Sequence, residues 1–182
     1  DVQMSSIGPT LGEKSLQTSL WAGLIGILIV MLFMLIIYRL PGLVSVIALT
    51  TYVSLVALIL SIFKVNLSLP GIAGIILSIG MAVDANVIIF ERIKEELRVG
   101  KTLRAAVKSG FHRAFTAILD SNVTTLIGAS VLWVIGTGPI VGFAITLFIG
   151  VVVSMFTAVV VSRFLLNSLI DMNIRNLKAY GA

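Results

Sequence analysis

The stretch GMAVDANVIIFERIKEE, residues 80–96, begins with residues that suit a lipid bilayer and ends with residues that suit water. An aspartate, Asp84, lies in its apolar part, seven residues before Glu91. An aspartate near the centre of a membrane helix costs about 2.5–3.5 kcal/mol, and each large apolar residue contributes about 0.3–0.6 kcal/mol to insertion. Asp84 therefore offsets much of the free energy that inserts this segment, and its presence indicates either a function or a hydrogen-bonded contact between helices.

The composition of the whole chain is that of a membrane protein. Of its 182 residues, 58% are hydrophobic and 12% are charged, with a mean hydropathy of +1.13. Soluble domains average about 45–50% apolar and about 25% charged residues. We therefore predict an all-α integral membrane protein.

Few side chains are suited to metal or covalent chemistry. The chain has no cysteine and one histidine, His112, so the sequence predicts no disulfide, no metal centre and no cysteine nucleophile. Its net charge of +5 does not indicate nucleic acid binding, because the lysines and arginines lie beside the apolar segments. The sequence contains neither a Walker loop nor a converging Ser/His/Asp pattern, which leaves an ion gradient as the energy source.

Five apolar segments are long enough to cross a bilayer, which takes about 20 helical residues. Turn signals separate them, among them Pro41-Gly42, Pro70-Gly71 and Gly138-Pro139. We predict a single transmembrane domain over residues 1–182, with spans at about 20–38, 43–63, 71–90, 114–135 and 140–170.

The charges between the spans predict the orientation. The loop 91–113 is predicted to form two short helices broken at Gly100, with Thr102 as the N-cap of the second. This loop and the other connections on its side hold eleven of the 13 lysines and arginines, whereas the opposite side holds only Lys14 and Lys64. By the positive-inside rule, the N-terminus lies outside and the C-terminus in the cytoplasm.

A second aspartate, Asp120, repeats the pattern of the first. Asp120-Ser121-Asn122 matches Asp84-Ala85-Asn86, and Asp120 lies seven residues after Arg113. In antiparallel helices both carboxyls would therefore lie about 10 Å inside the cytoplasmic edge. Two carboxyls at one depth can share or relay a proton if their helices are neighbours.

Helical spacing indicates where these side chains point. At about 100° per residue, Asn86 lies roughly 160° from Asp84 around the helix. Asp120 shares a stripe with Thr116 and Thr124, which predicts a polar track from the cytoplasmic edge. The predicted proton-transfer residues are Asp84 and Asp120, with Asn86, Asn122, Thr124 and Thr116 as supporting polar residues. No Lys or Arg lies in the middle of a span, so an ionised Asp84 needs a cation from another chain, or else it is protonated.

Small residues recur every four positions in the last span and form a ridge typical of close helix packing. They include Gly142, Gly150, Ser154 and Ser162, and a shorter ridge of Gly74, Ser78 and Ala82 lies on the Asp84 helix. Static packing and packing that slides between two arrangements both fit this pattern, and the sequence leaves both open.

With these residues in view, the chain resembles the membrane domain of the SecD family of protein-export subunits, within the resistance-nodulation-division transporter superfamily. The long segment around Asp84 is the most specific part of the resemblance, and DSNVTTLI would be weak alone. The resemblance implies half of a resistance-nodulation-division transmembrane domain without its first helix and exterior domain, and residues 1–15 as a stub of that domain. The similar segments are SSIGPTLG at 5–12, LPGIAGIILSIGMAVDANVIIFERIKEE at 69–96, DSNVTTLI at 120–127 and GTGPIVGFAITLFIG at 136–150.

The resemblance also implies a function. Family members assist Sec-dependent export, and proton flow through the membrane half is coupled to movements of the exterior domain that help to pull secreted chains outward. It implies that Asp84 carries the proton and that SecF supplies the counter-charge. The implied partners are SecF, the Sec translocation channel, unfolded secreted chains and the lipid bilayer of a bacterial or archaeal cytoplasmic membrane. The coupling ion is H⁺, with Na⁺ as the alternative, and neither a cofactor nor enzymatic activity is expected.

Three other functions compete with this one. Half of a proton-driven drug or lipid exporter commonly carries adjacent acidic residues, whereas Asp84 is followed by Ala85. An intramembrane aspartyl protease would place one aspartate after Gly-x-Gly, which residues 80–84 lack. A passive scaffold for translocon partners would not depend on the charge of Asp84.

Overall fold

The computed structural model describes residues 9–172, with side chains from Gly12 onwards. Within this part of the chain the fold is entirely helical, which confirms the predicted fold class. Its elements are α1 Pro9–Tyr38, α2 Leu40–Ile62, α3 Leu69–Arg98, α4 Leu103–Ile135, α5 Pro139–Phe156, a π-helical segment Thr157–Ser162 (the π segment), and α6 Arg163–Asp171.

Within residues 9–172, five helices are long and apolar enough to span a membrane, the last comprising α5, the π segment and α6. α1 begins at Pro9, so residues 9–15 of the predicted stub belong to the first membrane helix. The other stub residues, 1–8, and the cationic Arg175 and Lys178 lie outside the described residues.

The predicted pair of short helices in loop 91–113 is wrong. α3 continues to Arg98 and α4 begins at Leu103, so both long helices extend through the predicted loop and a short connection joins them. The break between the two helices falls at the predicted position. Gly100 has a positive φ of 93°, and the Thr102 hydroxyl caps α4 by accepting a hydrogen bond from the Ala105 amide at 3.4 Å. Charged side chains do not end a helix that leaves the membrane, since they are also good helix formers.

α3 and α5 form the centre of the bundle. In α3 and in Pro139–Asp171, 50% of the most apolar 18-residue stretch of the helix is buried, whereas in α1 the buried share is 6%. α1 exposes large apolar side chains such as Trp21 and Ile29, as expected of a span that faces lipid. The position of Asp84 on a central helix is therefore set by the packing of α3 against α5.

The two ends of the bundle differ in charge. α1 and α3 end, and α4 begins, at one end, which we call the basic end. There Lys94 lies over the Tyr38 ring at 4.5 Å, and Arg104 pairs with Asp171 at 2.6 Å. The buried carboxylate of Glu96 pairs with Lys101 and Arg113 and joins α3 to the start of α4.

Candidate functional site around Asp84

Asp84 lies on the exposed side of α3, at a small cavity between α3 and α4. The cavity has a volume of about 110 Å³. Four α3 residues line it, Met81, Asp84, Ala85 and Ile88, and from α4 it receives Ile118, Ser121, Asn122 and Thr125.

The polar groups of α4 that face this cavity bond within their own helix. The Asn122 amide donates to the Ile118 carbonyl at 2.8 Å, and the Ser121 hydroxyl donates to the same carbonyl at 3.2 Å. The Thr125 hydroxyl donates to the Ser121 carbonyl at 3.1 Å. Their oxygens remain able to accept, so a protonated Asp84 has hydrogen-bond acceptors beside it. Within residues 12–172, no side chain forms an ion pair or a hydrogen bond with the Asp84 carboxyl.

The structure does not bring Asp120 to this cavity. Asp120 is exposed and lies about 100–160° around α4 from the four residues that line it, given roughly 100° per residue. Thr116 and Thr124 are exposed on the Asp120 side, where the Thr124 hydroxyl donates to the Asp120 carbonyl at 3.0 Å. The two aspartates therefore face different surfaces of the described chain, and equal depth does not make them neighbours.

Asn86 points into the bundle, away from Asp84. It is buried, its amide donates to the Ala82 carbonyl at 3.2 Å, and its oxygen accepts from the Ser162 hydroxyl at 2.6 Å. Ser162 ends the π segment, in which backbone hydrogen bonds join residues five apart rather than four apart as in an α-helix. The helix that carries Asp84 is thus bonded directly to the irregular turn of the last span.

The small residues of α3 and α5 meet face to face. A Cβ atom at Gly74 would collide with the Thr146 hydroxyl and lie 2.9 Å from the Phe143 carbonyl oxygen. The Thr146 hydroxyl donates to the Gly71 carbonyl at 2.8 Å, which bonds the two helices to each other. Close approach without large side chains is how membrane helices gain packing energy.

Farther along the same contact, Gly150 leaves room for a polar pair. The Tyr52 hydroxyl of α2 donates to Ser78 Oγ at 2.7 Å, and Ser78 bonds to the Ile75 carbonyl at 2.8 Å. Gly142 lies at the Ser68 end of the contact, and Ala82 and Ser154 are buried. The small residues therefore let α3 and α5 pack closely along their length, and α2 joins this contact through Tyr52.

Sequence reasoning missed three polar residues of this region, Ser121, Thr125 and Ser162. Ser121 and Thr125 lie four residues apart and share a face with Asn122, which was a detectable signal. Ser162 was recognised only as a member of the small-residue ridge. In the described part of the chain, no group of three His, Cys, Asp or Glu residues could hold a metal ion.

A bundle of five candidate spans with the Asp84 carboxyl inside α3 defines the class: a multi-pass membrane protein with an ionisable intramembrane residue. Residues 1–171 match the family model of the protein export membrane protein SecD/SecF, C-terminal. The chain belongs to this family, as the sequence motifs predicted.

Individual relatives agree with this assignment. Protein translocase subunit SecD of Acidaminococcus fermentans is 58% identical over 182 residues, which are 100% of this chain and 44% of that protein. Protein translocase subunit SecDF of Bacillus subtilis is 49% identical over 140 residues, covering 78% of this chain and 19% of that protein. The crystal structure of SecDF, a translocon-associated membrane protein from Thermus thermophilus, has a TM-score of 0.88 and 45% identity, over 91% of this chain and 23% of that one. The chain spans less than half the length of these relatives.

Proposed function

We propose that this chain forms the membrane part of a Sec export subunit that uses the proton gradient to promote the passage of secreted proteins across the cytoplasmic membrane. The observation that carries the proposal is the Asp84 carboxyl, which lies in an apolar span beside a small cavity. Ionisable residues inside membrane spans are costly and mark ion pathways. Membership of the SecD/SecF family supports the link to export.

Asp84 is the proton carrier in this proposal. The protonated carboxyl donates a hydrogen bond to an oxygen of Ser121 or Thr125, which line the same cavity. The ionised carboxylate takes its counter-charge from SecF, since no cation approaches it within residues 12–172. Proton uptake and release change the attraction between α3 and that cation, and α3 shifts along its contact with α5.

The remaining parts of the proposal concern the orientation in the membrane, the partners and the coupling ion. The basic end lies in the cytoplasm and the N-terminal end of α1 lies outside, in a multi-pass arrangement. The partners are SecF, the Sec channel and unfolded secreted chains. The coupling ion is H⁺, and Na⁺ is tested against it by exchanging the gradient.

The test uses the complete protein together with SecF, and measures gradient-dependent export of a secreted precursor in membrane vesicles. We expect Asp84→Asn to abolish the gradient-dependent part at unchanged protein level, because the amide cannot release a proton. Asp171→Asn is the matched control, since it neutralises an exposed carboxyl at the basic end. Unchanged export by Asp84→Asn would favour a passive scaffold.

Asp120→Asn separates two proton routes. If the proton passes only by the Asp84 cavity, this variant keeps gradient-dependent export, because Asp120 faces another surface. If Asp120 takes part through a partner chain, its variant loses export to a similar extent as Asp84→Asn.

A further inference from the structure

A set of basic side chains surrounds a second cavity, which the proposed proton pathway does not use. This cavity has a volume of about 340 Å³ and lies where α4 packs near α3 and the π segment. Lys108 and His112 come from α4, Arg163 begins α6, and all three side chains are exposed at the cavity. Three basic groups therefore converge from two helices on one opening at the basic end.

These basic groups have no counter-charge of their own. The nearby Arg104 is neutralised by Asp171 at 2.6 Å. In contrast, no carboxylate within residues 12–172 forms an ion pair with Lys108, His112 or Arg163. A cleft lined by one sign of charge concentrates ligands of the opposite sign. The occupant that fits this opening is anionic.

The inner part of the same cavity is apolar. Phe115 and Ile118 line it deeper along α4 than Lys108, and Val159 lies four residues before Arg163 on the inner side. At about 1.5 Å per residue, the lining runs roughly 15 Å along α4 from charge to hydrocarbon. Along α4 and along the last span, the cavity lining thus changes in the same direction, from charged side chains at the basic end to apolar side chains farther in.

A neighbouring cavity provides room for a polar headgroup. It has a volume of about 310 Å³ and shares Lys108, Phe111 and Arg163 with the first cavity. It extends away from the apolar part toward Asn167 and the ion pair of Arg104 with Asp171. Because the two cavities share Lys108, Phe111 and Arg163, we treat them as one site with a charged outer part and an apolar inner part.

We propose that this site binds an anionic phospholipid. The phosphate lies between Lys108, His112 and Arg163, and one acyl chain lies against Phe115 and Val159. Basic pockets between membrane helices are suited to anionic headgroups, and ligand cavities of roughly 300–1,000 Å³ are common. The proposal does not depend on proton coupling, because none of these residues lines the Asp84 cavity apart from Ile118, which contributes to both.

The test compares binding of phosphatidylglycerol and phosphatidylcholine to the complete protein in detergent, by native mass spectrometry and by titration with a fluorescent lipid. We expect Lys108→Gln combined with Arg163→Gln to weaken phosphatidylglycerol binding about thirty-fold and to leave phosphatidylcholine binding unchanged. Arg92→Gln combined with Arg98→Gln is the matched control, because it removes two charges from the same end but outside the cavity. Equal loss in both double variants would overturn the site in favour of general charge attraction.

A third variant tests the apolar half of the site. Val159→Phe fills the cavity without changing the charge, and we expect it to weaken phosphatidylglycerol binding about ten-fold. Millimolar glycerol phosphate should displace little lipid, because it lacks the acyl chain. Full binding by Val159→Phe, or full displacement by glycerol phosphate, would mean that the site recognises a free phosphate group rather than a lipid.

Discussion

At Gly150, α5 comes so close to α3 that a methyl group would overlap the Ser78 side chain and lie 3.0 Å from the Tyr52 hydroxyl. Gly150→Ala should therefore force the Tyr52–Ser78 hydrogen bond apart and lower the free energy of unfolding by about 1–3 kcal/mol. Thermal unfolding in detergent measures the change. Gly128→Ala is the control, because a Cβ atom there meets nothing within 4 Å and alanine favours the helix. Equal stability of the two variants would contradict a tight contact at Gly150.

The residues of the candidate site were only partly predictable from the sequence. Asp84 stood out because an ionisable group in an apolar run has a large insertion cost, which needs no structure to recognise. The α4 residues beside Asp84 did not stand out. The sequence shows how deep Asp120 lies along its helix, but the direction of its side chain depends on which face of α4 packs on α3. Asn122, Ile118 and their neighbours occupy that face, and Asp120 lies on another.

Among the helices, the π segment is the part of the last span that bonds to Asn86 on the helix that carries Asp84. Ser162→Ala removes the donor to the buried Asn86 oxygen, a bond of 2.6 Å. Leaving a buried acceptor unpaired costs about 1–3 kcal/mol, and we expect that loss of stability together with faster amide exchange in Thr157–Ser162. Ser168→Ala is the control, because that hydroxyl only bonds back to the Phe164 carbonyl. Similar exchange in both variants would mean that the π segment does not depend on Asn86.

The boundaries of the helices were harder to predict than their number. Apolar length identified five spans, because a bilayer demands about 20 residues of each. It could not locate the end of α3 at Arg98, since the helix continues through the charged residues 91–98. Nor could it predict the π segment, because a run of Val and Ala residues suits either kind of helix and the hydrogen bond between Ser162 and Asn86 is visible only in the structure.

For the whole molecule, the uneven charge of the two ends predicts how it lies in the membrane. The chain has no cysteine, so a single introduced cysteine in this part is a unique label. Val99 at the basic end is 79% exposed, and Asn66 at the other end is also exposed. With a maleimide that cannot cross membranes, we expect Asn66→Cys to be labelled in intact cells and Val99→Cys only after lysis, because positively charged connections stay in the cytoplasm.

The reverse labelling pattern would place the basic end outside, and protons entering the cell would then reach Asp84 from the basic end. Labelling of both cysteines in intact cells would mean that the reagent enters the cell, which a cytoplasmic marker protein reveals. The orientation matters for the lipid site as well. With the basic end in the cytoplasm, Lys108, His112 and Arg163 face the inner leaflet, where the surface charge is negative and anionic lipids are drawn to them.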